Sequence, residues 1–285
     1  MITGSETLRV MTFNIRGFYH PDDGANTWEH REALNVATIR KYAPDLLGVQ
    51  EAQTGNLKAY DRLLPQYHWM AWPEYGDRPP HEWPTIYWRP ERLKPIDSGG
   101  FWLSETPERH SRSWETDCIR SASWVMFRCV ASGATLVHLN THLDHVSELA
   151  RIEGSRLIRE RVRDLQAAGA AAVLTGDFNT DPGSAVHRGY LEAGYADAFV
   201  AAGNDDTPAR AYTNHAWEGA HFTRMNDTPR RIDWILVRDG AATSASVRSS
   251  EIVRDAVPPV YPSDHYPLLA DLVVGTGGSG RDVIM

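Results

Sequence analysis

The sequence predicts an α/β fold of mixed β-sheets with helices on their outer faces. Three observations lead there. Strand-like runs, some alternating and some continuously apolar, outnumber helix-like ones. Helical segments join only some of those runs, so parallel pairs bridged by a helix must coexist with antiparallel neighbours. And 285 residues, 42% hydrophobic and 23% charged, provide ample core for one large domain.

Taken in order, "LRVMTFNI" alternates as a strand and ends at polar Asn14. "WEHREALNVATIRKY" has helical periodicity and stops before Pro44, a residue that disfavours helix just ahead of it. "DLLGVQ" is a buried strand that delivers Glu51 at its end. Further strands are expected at "YHWMAW", "PTIYWR", "SASWVMFRCV" and "ATLVHLNTHL". A long helix from Ser147 to Ala168 comes next, its apolar Ile152, Leu157, Ile158, Val162 and Leu165 at helical spacing. The apolar strand "AAVLTGD", a short helix near "SAVHRGYLEAG", a long polar loop, the strand "RIDWILVRD" and the segment "YPSDHYPLLADLVV" complete the chain.

No internal stretch rich in Pro, Gly and Ser divides the chain, and no repeat is visible, so residues 1–274 form one domain. "GTGGSGRDVIM", residues 275–285, reads as a flexible tail. The formal charge of −8 argues against long duplex DNA as a partner, since such binding draws on Lys and Arg neutralising phosphates. The arginines of "RIEGSRLIRERVRD" belong to the solvated face of the long helix. Two cysteines, Cys118 and Cys129, are too few for a disulfide framework and are read as reduced. No run approaches a membrane span and no signal-like start precedes the first strand, so a cytoplasmic location is expected. No obligate protein partner is evident.

Polar residues stand at or just past the ends of the apolar runs: Asn14, Glu51, His142, Asp177, Asn179, Asp233, Asp264 and His265. Loops at a sheet edge can gather such residues into a cleft. In "VLTGDFNTDP" a buried strand delivers Asp177, then Phe178, then Asn179, so both polar side chains can face one way. A carboxylate there can orient water and an amide can steady an oxyanion, although Asp and Asn also suit an ordinary turn. A catalytic imidazole needs a partner to fix its tautomer. Asp233, inside the apolar pattern of "RRIDWILV", would serve His265 in that way, or would pair with Arg231. Carboxylate and amide oxygens at Glu51 and Asn14 suit a hard cation such as Mg²⁺ or Mn²⁺, with a plain surface charge as the alternative for Glu51.

Six motifs in order, "TFNIRG", "GVQEA", "NTHLDH", "GDFNTDP", "RIDWI" and "SDHYP", resemble the endonuclease/exonuclease/phosphatase superfamily across residues 8–274. That superfamily includes DNase I, apurinic/apyrimidinic endonucleases, nocturnin-like deadenylases, neutral sphingomyelinases and inositol polyphosphate 5-phosphatases. The resemblance implies a four-layer αββα sandwich, two mixed sheets face to face with helices outside. It also implies Mg²⁺-dependent (or Mn²⁺-dependent) cleavage of a phosphoester by in-line attack of water. Glu51 then matches the main metal ligand, Asn14 a residue beside the metal, and Asp264 a carboxylate at or near it. Asp177 matches the residue positioning the water, Asn179 one that stabilises developing charge, and His142 a donor to phosphate or leaving oxygen. His265 matches the catalytic histidine, with Asp233 orienting it.

"LVHLNTHLDH" also resembles the H-x-H-x-D-H zinc signature of the metallo-β-lactamase fold, a rival αββα hydrolase. Asn140 stands where that pattern needs its first histidine, and the rival leaves "GVQEA", "GDFN" and "SDH" without a role. A non-catalytic scaffold on the same fold is a further alternative. For substrate contacts, Asp144 and His145 follow His142 into a loop, and Trp217 lies in the polar loop "YTNHAWEGAHFTRMNDTPRR", where an aromatic face could hold a base or sugar. "FWLSETPE" and "GDFNTDPGS" resemble the nocturnin-like branch, and with the negative charge they favour a small or nucleotide-like phosphoester.

Overall fold

The computed structural model describes residues 4–72, 82–222 and 231–277. Two six-stranded sheets dominate it. Across its width the first contains β11 (Thr243–Ile252), β12 (Leu268–Thr276), β1 (Ser5–Asn14), β2 (Leu46–Ala52), β4 (Trp83–Trp88) and β3 (His68–Ala71). The second contains β5 (Leu93–Trp102), β6 (Ser121–Cys129), β7 (Thr135–His142), β8 (Ala171–Asp177), β10 (Asp233–Arg238) and β9 (Ala196–Asp197). Among the described residues only β1–β2 and β7–β8 are parallel. Those are the pairs bridged by long helices, α1 (Trp28–Tyr42) and α3 (Glu148–Leu165), as a parallel crossover requires.

The helix ends follow local chemistry. α1 stops at Ala43, which adopts a left-handed φ of 44° ahead of Pro44. α3 begins at Ser147, whose Oγ accepts the Ala150 N–H at 3.1 Å. Three apolar zones then separate four layers. Leu8, Val10 and Leu46 of one sheet meet Phe127, Leu136 and Val173 of the other. Met11, Phe13 and Val49 face Val36 and Ile39 of α1 and Leu57 and Tyr60 of α2 (Thr54–Leu63). Leu139, Leu174 and Trp234 face Ile158 and Val162 of α3 and Tyr190 of α4 (Ala185–Glu192). The expected mixed-sheet sandwich is the one observed.

Some elements depart from expectation. β5 and β11 are edge strands with largely exposed, small or polar side chains, so neither carries an apolar alternation. α2 owes its start to a reciprocal cap between Gln53 and Asn56. β12 continues through Thr276, with Gly275 paired to Ser5, past the point where the tail was expected to begin. Residues 278–285 lie outside the described residues. Cys118 and Cys129 are unbridged, as expected. Among the described residues no helix is long and apolar enough to cross a membrane.

Toward one end of the sandwich the inter-sheet core turns polar. Asn140, fully buried, donates to the carbonyls of Val49 (2.8 Å) and Thr85 (3.0 Å) across the sheets and accepts from Gln50 (2.7 Å) and Thr175 (3.0 Å). His138 meets Thr175 Oγ1 at 2.8 Å, and burial pushes its imidazole down to about 3, keeping it neutral. The sheets approach so closely here that a Cβ on Gly48 would lie 2.0 Å from Thr175 Oγ1. Gly48→Ala should therefore destabilise the fold by roughly 1–3 kcal/mol through overpacking. Combined with Thr175→Ala, urea unfolding should show less loss than the sum of the two single changes.

Candidate active site

Beyond the polar layer the inward-facing alternation of four strands ends in a cleft. Asn14 follows Leu8, Val10 and Thr12 inward from β1, while His142 and Asp177 sit side by side at the ends of parallel β7 and β8. Strict alternation would turn Glu51 away from Gln50. A register break between Val49 and Ala52 and a φ of 61° at Glu51 re-aim its carboxylate at Asn14. A non-glycine residue held there costs of the order of 1–3 kcal/mol, a strain that gathers at functional sites. Asn179, two residues past β8, also has a positive φ, 49°.

One oxygen is the focus. Asp177 Oδ2 accepts from Asn14 Nδ2 at 3.0 Å and lies 3.5 Å from His142 Nε2 and 3.9 Å from His265 Nε2. Asn14 Nδ2 also donates to Glu51 Oε1 at 2.8 Å, and its Oδ1 accepts the Arg16 backbone N–H at 3.0 Å. That backbone donor fixes the amide orientation, so Asn14 ties two carboxylates together and does not turn its own oxygen toward Glu51. Asp177 Oδ1 accepts the Asn179 N–H at 2.9 Å, and the Asn179 amide donates to the Leu143 carbonyl and touches His142 Nε2, each at 3.0 Å.

Asp233, the first residue of β10, pairs directly opposite Asp177 in the sheet. Its Oδ2 meets His265 Nδ1 at 2.8 Å, the pairing anticipated from sequence. Arg231 is not its partner: that fully buried guanidinium holds Asp197 (2.7 Å) and Asp206 instead. Asp264 lies beside Arg16, Oδ2 to Nε 3.7 Å, and accepts from Ser263.

Burial and the nearby Asp233 charge push the Asp177 carboxyl up to about 7, despite His265 and the hydrogen bonds that favour its charge. For His265, burial opposes the charge, but Asp233, Asp177 and Asp264 outweigh it and lift the imidazole to about 10. Burial, with Arg120, drives His142 far below its ordinary value, so it is neutral. Two donors flank the ring, Arg120 Nη1 at 3.0 Å from Nδ1 and Asn179 Nδ2 at 3.0 Å from Nε2, and a neutral imidazole accepts from one of them only.

Three sequence candidates are not gathered at this focus. Asp144 is 2% exposed, with oxygens filled by Thr116 Oγ1 and the N–H groups of Asp117, Cys118, Val146 and Ser147. It staples two loops. His145 is exposed on the rim beside Asp117, at 3.7 Å. Among the described residues it shares no cluster of metal-ligating atoms with His142, which a zinc signature would require. Trp217 is half-buried, with the Arg31 guanidinium 5.6 Å over its ring. Part of its loop, residues 223–230, lies outside the described residues.

Other contributors escaped the sequence. Asn214 reaches His265 Nε2 at 3.0 Å, and the two residues also form an isolated backbone bridge outside the strands. Arg120 stands just before β6, and its only cue was charge ahead of a strand. Glu82 and His20 come from loops, yet with Glu51 their ligand atoms all lie within 4.8 Å of one another. Burial and the Glu51 charge push the Glu82 carboxyl up to about 7. Two mutually repelling carboxylates beside an imidazole suit a cation, so the donor set fits a divalent metal.

Residues 11–265 match the model of the Endonuclease/Exonuclease/phosphatase family. The chain belongs to this family. A Bacteroides vulgatus family member of solved structure is 30% identical with a TM-score of 0.82, covering 94% of this chain and 98% of its own. A Bacteroides thetaiotaomicron mannosyl-6-phosphatase is 26% identical with a TM-score of 0.81, covering 93% and 99%. The human nocturnin catalytic domain shares the fold at 21% identity and a TM-score of 0.70, covering 93% of each chain. A curated Saccharomyces cerevisiae relative, Probable RNA exonuclease NGL3, is 23% identical over 199 residues, 61% of this chain, which spans 38% of that protein's length.

The raised His265 has a consequence for stability. A histidine whose folded value exceeds its unfolded one contributes fully below about 6.5 and loses that contribution as pH rises toward about 10. In EDTA, the stability gap between wild type and Asp233→Asn in urea unfolding should therefore narrow across that window. A gap independent of pH would contradict the ion pair.

Proposed function

We propose that the protein hydrolyses a small or nucleotide-like phosphoester with Mg²⁺ or Mn²⁺, by in-line attack of a water that Asp177 orients. The observation that carries this reading is the convergence of Asn14, His142 and His265 on Asp177 Oδ2. A carboxyl held near neutrality can accept a proton from water at working pH. His265, kept cationic by Asp233, presents Nε2 beside that carboxylate and offsets negative charge developing on the phosphoryl oxygens. Neutral His142, in the tautomer that accepts from Arg120 at Nδ1, donates from Nε2 to phosphate or leaving oxygen. Asn179 steadies the same charge from the turn after β8.

Glu51 and Asp264 would hold the metal, and Asn14 keeps the Glu51 carboxylate in place. Bound there, a divalent ion neutralises phosphate charge and stabilises the departing oxygen. The net charge of −8 favours a short substrate over long duplex DNA, and the mannosyl-6-phosphatase neighbour supports a small phosphate monoester among the candidates. His145 and Trp217 stand on loops that could select the alcohol portion. Two unbridged cysteines support a reducing, cytoplasmic location.

A panel of sugar phosphates, nucleotides and bis-(p-nitrophenyl) phosphate, assayed with Mg²⁺, Mn²⁺ or EDTA, tests the reading. Asp177→Ala and His265→Ala should each lower kcat by about a thousandfold on the best substrate. Turnover that persists unchanged in EDTA, or in Asp177→Ala, would sink it.

A further inference from the structure

The side of Glu51 away from Asn14 is furnished with groups that the reaction above does not use. His20 Nε2 lies 3.9 Å from Glu51 Oε2 and is buried without a hydrogen-bond partner. Glu82, from the residue ahead of β4, brings a second carboxylate to the same place, so that an oxygen of each acid and a nitrogen of the imidazole fit within 4.8 Å. Arg120 Nη1 pairs with Glu82 Oε2 at 4.0 Å and also sits 3.0 Å from His142 Nδ1.

The imidazole has room only because residue 17 is glycine. Gly17 has a φ of 34°, and a Cβ there would lie 3.0 Å from His20 Nε2. The backbone behind it is pinned: Gln53 Oε1 accepts the N–H groups of Phe18 and Tyr19 at 2.8 Å each, and Arg31 holds the Gly17 carbonyl at 2.8 Å. His20 is thus carried on a fixed loop and aimed at Glu51.

We propose that His20 and Glu82 join Glu51 as direct ligands of the metal, giving this chain a mixed nitrogen and oxygen site that prefers Mn²⁺ over Mg²⁺. The inference rests on the metal reading above. Its physical basis is ligand softness: Mg²⁺ holds oxygen donors and its waters and takes imidazole poorly, whereas Mn²⁺ and the later divalent ions accept it. The carboxylates neutralise the ion's charge, and the single imidazole supplies the discrimination.

The test reads binding, with no substrate present. Protein stripped with EDTA and dialysed is titrated with Mn²⁺ and with Mg²⁺ by calorimetry, and the Mn²⁺-loaded form is examined by pulsed electron paramagnetic resonance for coupling to a ligand nitrogen. Wild type should bind Mn²⁺ at least about tenfold more tightly than Mg²⁺. His20→Ala should lose the nitrogen coupling and about tenfold in Mn²⁺ affinity, with Mg²⁺ affinity almost unchanged, while Glu82→Gln should weaken both ions. His20→Asn, which keeps a polar side chain, should behave as His20→Ala and guards against a folding defect.

Nitrogen coupling and Mn²⁺ affinity that survive both His20 variants would overturn the proposal. If Glu51→Gln abolished binding in that case, the general metal reading would still stand. A wild type that binds neither ion would overturn both.

Discussion

The whole site hangs on a buried negative charge that must be compensated. Asp177 and Asp233 pair across neighbouring strands, both buried, and like charges so placed repel strongly in a poorly polarisable surrounding. Folding tolerates them because His265 reaches Asp233 at 2.8 Å while Asn14 donates to Asp177 at 3.0 Å. Each of these partners comes from a different part of the chain. Compensation of charge and assembly of the catalytic group are therefore one event: a chain that failed to bring residue 265 to residue 233 would have an uncompensated carboxylate in its core.

That requirement explains why the cleft sits on a polar layer. Asn140, Gln50, Thr175 and Thr12 tie the sheets with hydrogen bonds one or two residues behind Asn14, Glu51, His142 and Asp177. Apolar packing tolerates small sliding between sheets, whereas hydrogen bonds fix position and direction. Gly48 lets the layers close to that distance. The loops are held by the same means. Asp144 gathers five donors from two segments, and Arg231 clamps Asp197 and Asp206 just before β10 delivers Asp233. Residues that resembled ligands in one dimension serve as the frame for those that are aimed at the cleft.

The two sides of Glu51 give the cleft its chemical asymmetry. Toward Asn14 it belongs to a hydrogen-bonded network shared with Asp177. Toward His20 and Glu82 it faces a second carboxylate and an imidazole nitrogen without a hydrogen-bond partner, a set that suits a cation. One strained residue thus borders both the water-orienting carboxylate and the metal-binding face, which accounts for a left-handed conformation at a glutamate.

What the sequence determined by itself was the set of strong, locally encoded features. Apolar periodicity marked β1, α1, β2, β7, α3 and β8 because each buries a continuous face, and six motifs in order were enough to point to the family and to pair Asp233 with His265. Only the tertiary structure decided the rest. Edge strands β5 and β11 take their stability from a ladder with a neighbour and so carry little pattern of their own. Whether Asp144 faced the cleft or the frame depended on donors from residues 116–118, and the nearness of His20, Glu82, Arg120 and Asn214 depended on loops that close only when both sheets are packed. Periodicity records which face of an element is buried; it holds no record of which distant side chain will fill a particular lone pair.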